Sequence, residues 1–220
     1  MKGITRPYAV VMGDIVGSGN NRAPASLHAR FNAAVEKQNR NYKEQLSSPL
    51  TITLGDEFQG LGISLTAMFS LIRDLRLELM IDDIECRFAI GHVELLTPLN
   101  RDNAWNMMGP GLSRTRDKLN EKRAGSLYRF AVTDDPLVET TLEALGAGLT
   151  SIERRWTVRQ REDIAALLGG ATAADIATRR NVSVHTVYKV RASGDFDTYV
   201  VQWSAIRETL ARLDAQHGMA

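Results

Sequence analysis

Residues 8–18 read Tyr8-Ala-Val-Val-Met-Gly-Asp14-Ile-Val-Gly-Ser18, and this stretch is the strongest indication of the fold in the sequence. Its first five residues are apolar on both faces, which predicts a buried strand that ends near residue 13. An aspartate and small residues come directly after the strand, and such residues favour a turn. The pattern therefore predicts a buried strand that is followed by a carboxylate at the end of a sheet.

The segments after this strand alternate between helical and extended patterns. Apolar residues at helical spacing predict helices over residues 24–43, 64–80 and about 103–119, the last broken or started near Gly109. Strands are expected at residues 50–54, 58–63, 85–95 and 127–132, and the turn Gly55-Asp56 joins the first two as a hairpin. This β-α-β-β-α-β order is that of a ferredoxin-like α+β fold.

The last third of the chain contains helical patterns only. From residue 136 onward we find no further strand pattern, and we place a domain boundary near residue 150. Residues 1–150 are expected to form the α+β domain and residues 151–220 an all-α domain.

Composition narrows the classes of function. The 220 residues carry 27 basic and 26 acidic side chains, a net charge of +1, so any binding to nucleic acid must come from a local patch. We find no apolar run of the roughly 18 residues that would span a bilayer. Cys86 is the single cysteine, so an intramolecular disulfide is excluded, and we expect its side chain to be buried. A cytoplasmic protein without membrane contact is the simplest interpretation.

Two aspartates are the first candidate functional residues. Asp14 follows the first strand and Asp56 lies in the hairpin, and in a β-α-β-β arrangement these two ends are neighbours. Paired carboxylates suit Mg²⁺, which prefers oxygen ligands and brings substrate phosphates with it. The adjoining segment Ile15, Gly17 and Ser18 is expected to present backbone N–H groups to an anion. The alternative is that both aspartates only form turns.

These motifs support a resemblance to known families. The segments Asp14-Ile-Val-Gly17 and Gly55-Asp56 resemble those with which class III nucleotide cyclases hold two metal ions over a nucleoside triphosphate. The segment Arg87-Phe-Ala-Ile-Gly91 is similar to a later cyclase strand, and the likeness covers roughly residues 8–120. The chain as a whole resembles the SatD-like family of bacterial proteins. The resemblance implies a cyclase-like domain that binds a nucleotide or another phosphate-bearing ligand with Mg²⁺.

The departures from the cyclase pattern concern substrate selection and catalysis. Ile52 stands where cyclases usually carry a purine-selecting lysine, and Ser113 and Asp117 stand where they carry a helical asparagine and arginine. Arg114 and Arg116 lie nearby as candidate phosphate ligands, in a different register. Because developing phosphoryl charge needs cationic stabilisation, a degenerate ligand-binding domain is favoured over an efficient cyclase. An active nucleotidyl cyclase or triphosphate-processing enzyme is the alternative, and a vestigial core without ligand is a third interpretation.

A helix-turn-helix is the second candidate functional unit. The pattern of residues 159–168 predicts a helix that ends at Gly169-Gly170. Thr172 and Asp175 predict a capping box at the start of a second helix, and Ser183 is the expected N-cap of a third helix. Asn181 occupies the turn, where a left-handed conformation is needed. Arg180 departs from the pattern, since an apolar residue is more usual there.

The third helix of this unit is expected to lie in the major groove of double-stranded DNA. No acidic residue occurs between Asp175 and Asp195, whereas four cations do, which suits phosphate contact. The residues expected to contact DNA are Ser183, His185, Thr186, Tyr188, Lys189 and Arg191. The alternative is a small protein-interaction module with a basic face. The whole chain is thus interpreted as a ligand-responsive bacterial transcriptional regulator, acting as a homodimer.

Overall fold

The computed structural model of the chain describes residues 6–20, 23–121 and 125–219. The strands are β1 (Pro7–Ile15), β2 (Leu46–Ile52), β3 (Glu57–Gly62), β4 (Cys86–Glu94) and β5 (Tyr128–Ala131). The α-helices are α1 (Pro24–Asn41), α2 (Leu65–Ile81), α3 (Pro110–Asn120), α4 (Pro136–Arg154), α5 (Val158–Leu168), α6 (Ala173–Arg180), α7 (Val184–Ser193) and α8 (Phe196–His217).

The five strands form one mixed sheet in the order β2-β3-β1-β4-β5. The central strand β1 pairs antiparallel with both β3 and β4. The edge strand β5 instead runs parallel to β4. The fold is therefore α+β. The strand β1 is buried, as the sequence predicts, and lies at the centre of the sheet.

The side chains of β1 alternate between two hydrophobic clusters, because successive residues of a strand point to opposite faces. Val11 and Ile15 belong to the larger cluster, which α1, α2, α4 and α8 cover. Val10 and Met12 belong to a smaller cluster beneath α3. Cys86 is fully buried in the larger cluster, as expected, and desolvation raises the pKa of its thiol.

Helix α3 begins at Pro110, next to Gly109, where the sequence pattern over residues 103–119 was expected to break or start. The proline sits at the first helical position, where its missing N–H costs nothing. The segment before it contains no regular helix, and Gly109 there comes so close to the Glu94 carbonyl that an added Cβ would collide with it. The helix therefore starts where the chain has passed this close contact with β4.

The hydrophobic core continues across residue 150. Helix α4 runs without interruption from residue 136 to residue 154. The Trp203 ring of α8 stacks on the Phe69 ring of α2, with 3.9 Å between ring centroids and 7° between planes. Within the described residues, no helix is long and apolar enough to cross a bilayer.

Candidate functional site

The end of β1 carries a charged cluster on the face that α3 covers. Asp14 lies opposite Glu57 of β3 and Arg87 of β4, so all three side chains share one face of the sheet. The Arg87 guanidinium lies 3.4 Å from the Asp14 carboxylate and also donates to the Leu119 carbonyl at the end of α3. Arg87 therefore connects the predicted metal ligand Asp14 to the last turn of α3.

Asp56 lies beside this cluster, because the backbone N–H of Ile15 donates to its carbonyl at 3.0 Å. Ser18 donates its hydroxyl to the Asp56 carboxylate at 2.5 Å. Gly17 adopts a positive φ of 73°, which turns the chain back toward the hairpin. The structure thus brings Asp56, Gly17 and Ser18 together next to the strand end that carries Asp14.

The Ile15 side chain faces the core on the other side of the sheet. A ligand at this sheet end can therefore meet only its backbone, and its backbone N–H is already bonded to Asp56.

Helix α3 approaches the sheet closely because glycines line the contact. A Cβ on Gly91 would lie 1.9 Å from the Thr115 hydroxyl, and one on Gly111 would lie 2.1 Å from the His92 carbonyl. This close packing brings the Arg116 guanidinium to 3.0 Å from the Glu57 carboxylate. Arg116, which the sequence analysis named as a candidate phosphate ligand, therefore belongs to the charged cluster.

Arg114 points to the opposite side of α3. Its guanidinium contacts the Thr133 carbonyl, Asp134 at 2.5 Å and Glu139 at 3.0 Å. Residues two positions apart on a helix do not share a face. The structure therefore does not bring Arg114 together with Asp14, Asp56 and Arg116, although the sequence interpretation grouped them.

A groove of about 520 Å³ adjoins the charged cluster, between the β2–β3 hairpin, α3 and the segment that precedes α3. Leu54 and Trp105 contribute large exposed apolar surfaces to it, at 73% and 45% exposure. Arg116 and Gln59 also line the groove, and the Gln59 amide donates to the Ala104 carbonyl. Neither this groove nor Glu57 was predicted from the sequence, because the groove depends on contacts of Ala104 with Gln59 and Thr51, which are distant in the chain.

The carboxylates of this region fit a metal only in combination with a ligand. Among the described residues, no group of three or more histidine, cysteine, aspartate or glutamate side chains converges on one point. Mg²⁺ is commonly held by one or two carboxylates together with substrate phosphates. Asp14 and Asp56 match that incomplete donor set, because the phosphates of a ligand would supply the missing oxygens.

The second candidate region is formed by α5, α6 and α7. Thr157 and Thr172 begin α5 and α6 with reciprocal capping boxes, and Ser183 accepts from the Thr186 backbone N–H at the start of α7. Asn181 adopts φ 53° and ψ 49°, the left-handed conformation that the sequence predicts. The caps and the turn therefore fix three short helices whose ends agree with the sequence analysis.

A small hydrophobic cluster of Ile176, Ala177 and Val187 holds α6 against α7. Arg180 occupies a position where an apolar residue was expected. Its guanidinium pairs with the carboxylate of Asp163, which accounts for a charged residue there. Asp163 lies on α5 and is only 1% exposed. An ion pair therefore takes the place of an apolar contact between α5 and α6.

The outward face of α7 presents polar and aromatic side chains to solvent. Ser183, His185, Tyr188 and Lys189 are exposed, and Thr186 is half-buried. Arg191 turns back toward α8, where it contacts Asp197 at 2.5 Å and lies over the Phe196 ring. Five of the six residues predicted to contact DNA thus lie on the outward side of α7 or at its N-cap, whereas Arg191 is paired with Asp197 of α8.

These observations define an α+β protein with a charged sheet end, covered by α3, and a compact group of three C-terminal helices. A model described as the SatD family matches residues 8–193, and the chain belongs to this family. No curated protein matches the chain significantly in sequence.

The solved structures that are similar to this chain include nucleotide cyclases. The guanylyl cyclase Cya2 is 14% identical, with a TM-score of 0.43, over 59% of this chain and 77% of that one. The guanylyl cyclase domain of the RhoGC fusion protein from the aquatic fungus Blastocladiella emersonii is 15% identical, with a TM-score of 0.43, over 57% and 81%. A bacterial light-regulated adenylyl cyclase is 12% identical, with a TM-score of 0.43, over 57% of this chain but only 43% of that chain.

Proposed function

We propose that this protein is a cytoplasmic, DNA-binding transcriptional regulator whose sheet domain binds a nucleotide or another phosphate-bearing ligand together with Mg²⁺. The helices α5, α6 and α7 act as a helix-turn-helix, and the ligand state adjusts their binding to double-stranded DNA. A homodimer would place two such units on two half-sites.

The observation that carries the DNA-binding part is the outward face of α7. It combines the exposed Lys189 with the exposed His185 and Tyr188, and α7 contains no acidic residue. Arg179 adds an exposed cation at the end of α6. Lys189 and Arg179 therefore contact phosphates, since Arg191 would first have to leave Asp197.

The test uses the full chain and labelled duplex DNA of mixed sequence, with affinity measured by fluorescence anisotropy across a salt series. Lys189→Ala should weaken binding to all sequences and reduce the slope of log affinity against log salt by about one. His185→Ala and Thr186→Ala should instead change the sequence preference. Arg207→Ala, an exposed cation on α8, is the matched control and should change neither. Absence of duplex binding by the parent at low salt would contradict the proposal.

The ligand part rests on the cluster of Asp14, Asp56, Ser18 and Arg116 at the end of β1. Asp14 and Asp56 would hold Mg²⁺, which would neutralise part of the phosphate charge. Ser18 already orients one Asp56 oxygen, and Arg116 is 40% exposed at its side chain and available to a phosphate. Its present partner Glu57 would be exchanged for the ligand.

Thermal unfolding in a series of nucleotides, with and without Mg²⁺, tests this site. A ligand that binds only the folded chain raises its melting temperature. Asp14→Asn and Asp56→Asn should each abolish the Mg²⁺-dependent increase, whereas Asp102→Asn, in an exposed loop, should preserve it. If both site variants respond to the nucleotide as the parent does, the paired-aspartate site is wrong.

We expect this site to bind without efficient turnover. Positions 113 and 117 of α3 carry serine and aspartate, and the Arg114 guanidinium is held by α4 and the segment before it. Removal of a cation that stabilises transferring phosphate typically costs about 10³–10⁵ in rate. Chromatography after long incubation with ATP or GTP and Mg²⁺ or Mn²⁺ should therefore show no cyclic nucleotide above an Asp14→Asn blank. Product from the parent alone would support the cyclase alternative, with Arg116→Gln as the next variant.

A further inference from the structure

A second polar cavity lies on the face of the sheet opposite α3, between α2, α4 and α5. Its volume is about 470 Å³. Three arginines and three carboxylates line it together with apolar side chains, and the charged residues are Arg76, Arg154, Arg161, Asp83, Glu85 and Glu153. This cavity is separate from the charged cluster at the end of β1 and from the outward face of α7.

The three carboxylates already have partners. Glu153 is fully enclosed and accepts from Arg76 at 3.0 Å, from the Tyr128 hydroxyl at 2.5 Å and from the Tyr199 hydroxyl at 3.2 Å. Asp83 and Glu85 each form an ion pair with one of the other two arginines, at 2.9 Å in both cases. The cavity therefore offers few unoccupied acceptors.

The arginines, in contrast, retain unused donors. A guanidinium carries five N–H groups, and the one hydrogen bond found for Arg76 among the described residues uses its Nε. The Arg76 side chain lines the cavity and is only 4% exposed. The Nε of Arg161 is also buried and has no hydrogen-bond partner among the described residues.

We infer that this cavity is a binding site for an oxoanion, the phosphate or carboxylate group of a small molecule. Planar guanidinium groups match the geometry of such an anion and bind it through paired hydrogen bonds. A buried N–H group without an acceptor, such as the Nε of Arg161, is costly, and an anion would satisfy it. Because Arg76 lies on α2 and Arg161 on α5, the bound anion would tie the first helix of the C-terminal unit to the sheet domain.

The test measures thermal unfolding of the full chain in sodium phosphate and in sodium acetate, each compared with sodium chloride at equal ionic strength. The parent should be stabilised by at least one of the two anions, and the stronger response identifies the chemical group. Arg161→Gln should weaken the apparent affinity for that anion at least about tenfold, as expected from loss of a charge-assisted contact. Arg161→Lys should be intermediate, because it keeps the charge but loses the planar fork.

Two control variants separate this site from its surroundings. Arg155→Gln removes an exposed neighbouring arginine that pairs with Asp195 outside the cavity, and its anion response should equal that of the parent. Arg207→Gln, which removes an exposed arginine of α8 that does not line the cavity, should also keep the response. An equal response of the parent to phosphate, acetate and chloride, or an unchanged response in Arg161→Gln, would overturn the inference.

Discussion

Arg180 and Asp163 form a pair in which one member is fully buried. The Asp163 side chain is 1% exposed and the Arg180 side chain 16% exposed, and one Asp163 oxygen has no partner among the described residues. Removal of one member of a buried pair leaves an uncompensated charge in the interior. Arg180→Ala should therefore lower the free energy of unfolding by about 2–4 kcal/mol, toward the lower end because Arg180 is partly exposed. Urea unfolding measures the change.

The double variant Asp163→Leu with Arg180→Leu is the informative comparison. Replacement of both charges with apolar side chains often costs nothing, because the desolvation penalty disappears with the pair. We expect this variant to unfold within about 1 kcal/mol of the parent. A double variant as unstable as Arg180→Ala would show that α5 and α6 need the ion pair for packing.

His92 provides a pH-dependent contribution to stability. Its ring stacks on His217 at 3.9 Å between centroids, and its Nε2 is buried without a partner among the described residues. Desolvation, His217 and Arg114 lower the pKa of His92, and Glu94 and Asp134 oppose this only in part. The unfolded chain therefore takes up the proton at a higher pH than the folded chain does.

It follows from this order of pKa values that stability falls as the solution is acidified. The contribution of neutral His92 to the free energy of unfolding is complete above the ordinary histidine pKa of about 6.5. It is lost as the pH falls from there through the pKa of His92 in the folded chain. The melting temperature should decrease between about pH 7.5 and pH 5.5, and His92→Gln should reduce that decrease. His28→Gln, in the exposed part of α1, serves as the control. A pH profile unchanged by His92→Gln would show that other groups cause the decrease.

Among the helices, strands and turns, the sequence predicted the features that depend on neighbouring residues. The capping residues Thr172 and Ser183 and the turn residue Asn181 act on backbone groups a few positions away, so their pattern is visible in the chain. The start of β2 was predicted less well. The sequence pattern placed it at residue 50, whereas the strand begins at Leu46 with irregular pairing to β3. The position of Arg114 depends on contacts with α4, which no local pattern records.

The start of α2 depends on a residue far away in the chain. Ser64 caps this helix locally, and the Asp214 carboxylate of α8 accepts from the backbone N–H groups of Leu65 and Thr66 at 2.7 and 3.0 Å. A carboxylate at a helix N-terminus also interacts favourably with the helix dipole.

Asp214→Ala should consequently lower the free energy of unfolding by about 1–3 kcal/mol, because it removes the acceptor of the buried Leu65 N–H and of the half-buried Thr66 N–H. Chemical denaturation measures this, and Glu208→Ala on the exposed side of the same helix is the matched control. Equal effects of the two substitutions would contradict the capping role.

For the whole molecule, the hydrophobic clusters do not separate at residue 150, where the sequence analysis placed a domain boundary. Trp156 and Ile164 join α5 to the large cluster, and Tyr199, Ile206 and Leu210 join α8 to it. The cluster that joins α6 to α7 is separate from it and has only three fully buried members. The sequence could not reveal this division, because the amphipathic pattern of α8 does not say which surface it covers.

The hydrophobic cluster around the sheet is much larger than the cluster between α6 and α7, which predicts that the free energy of local unfolding differs between these regions. Since the free energy of local opening follows the contacts that must be broken, α6 and α7 should open at a lower free energy than β1 or β4. Native-state hydrogen exchange of the full chain, followed by mass spectrometry, should show faster exchange in α6 and α7 than in the central strands. Arg180→Ala should widen this difference, because it weakens the contact of α6 with α5 and leaves the sheet untouched. Equal protection of α7 and β1 in the parent would show that the whole chain opens only as one cooperative unit, and a ligand bound at the sheet could then not change the exposure of α7 through local opening.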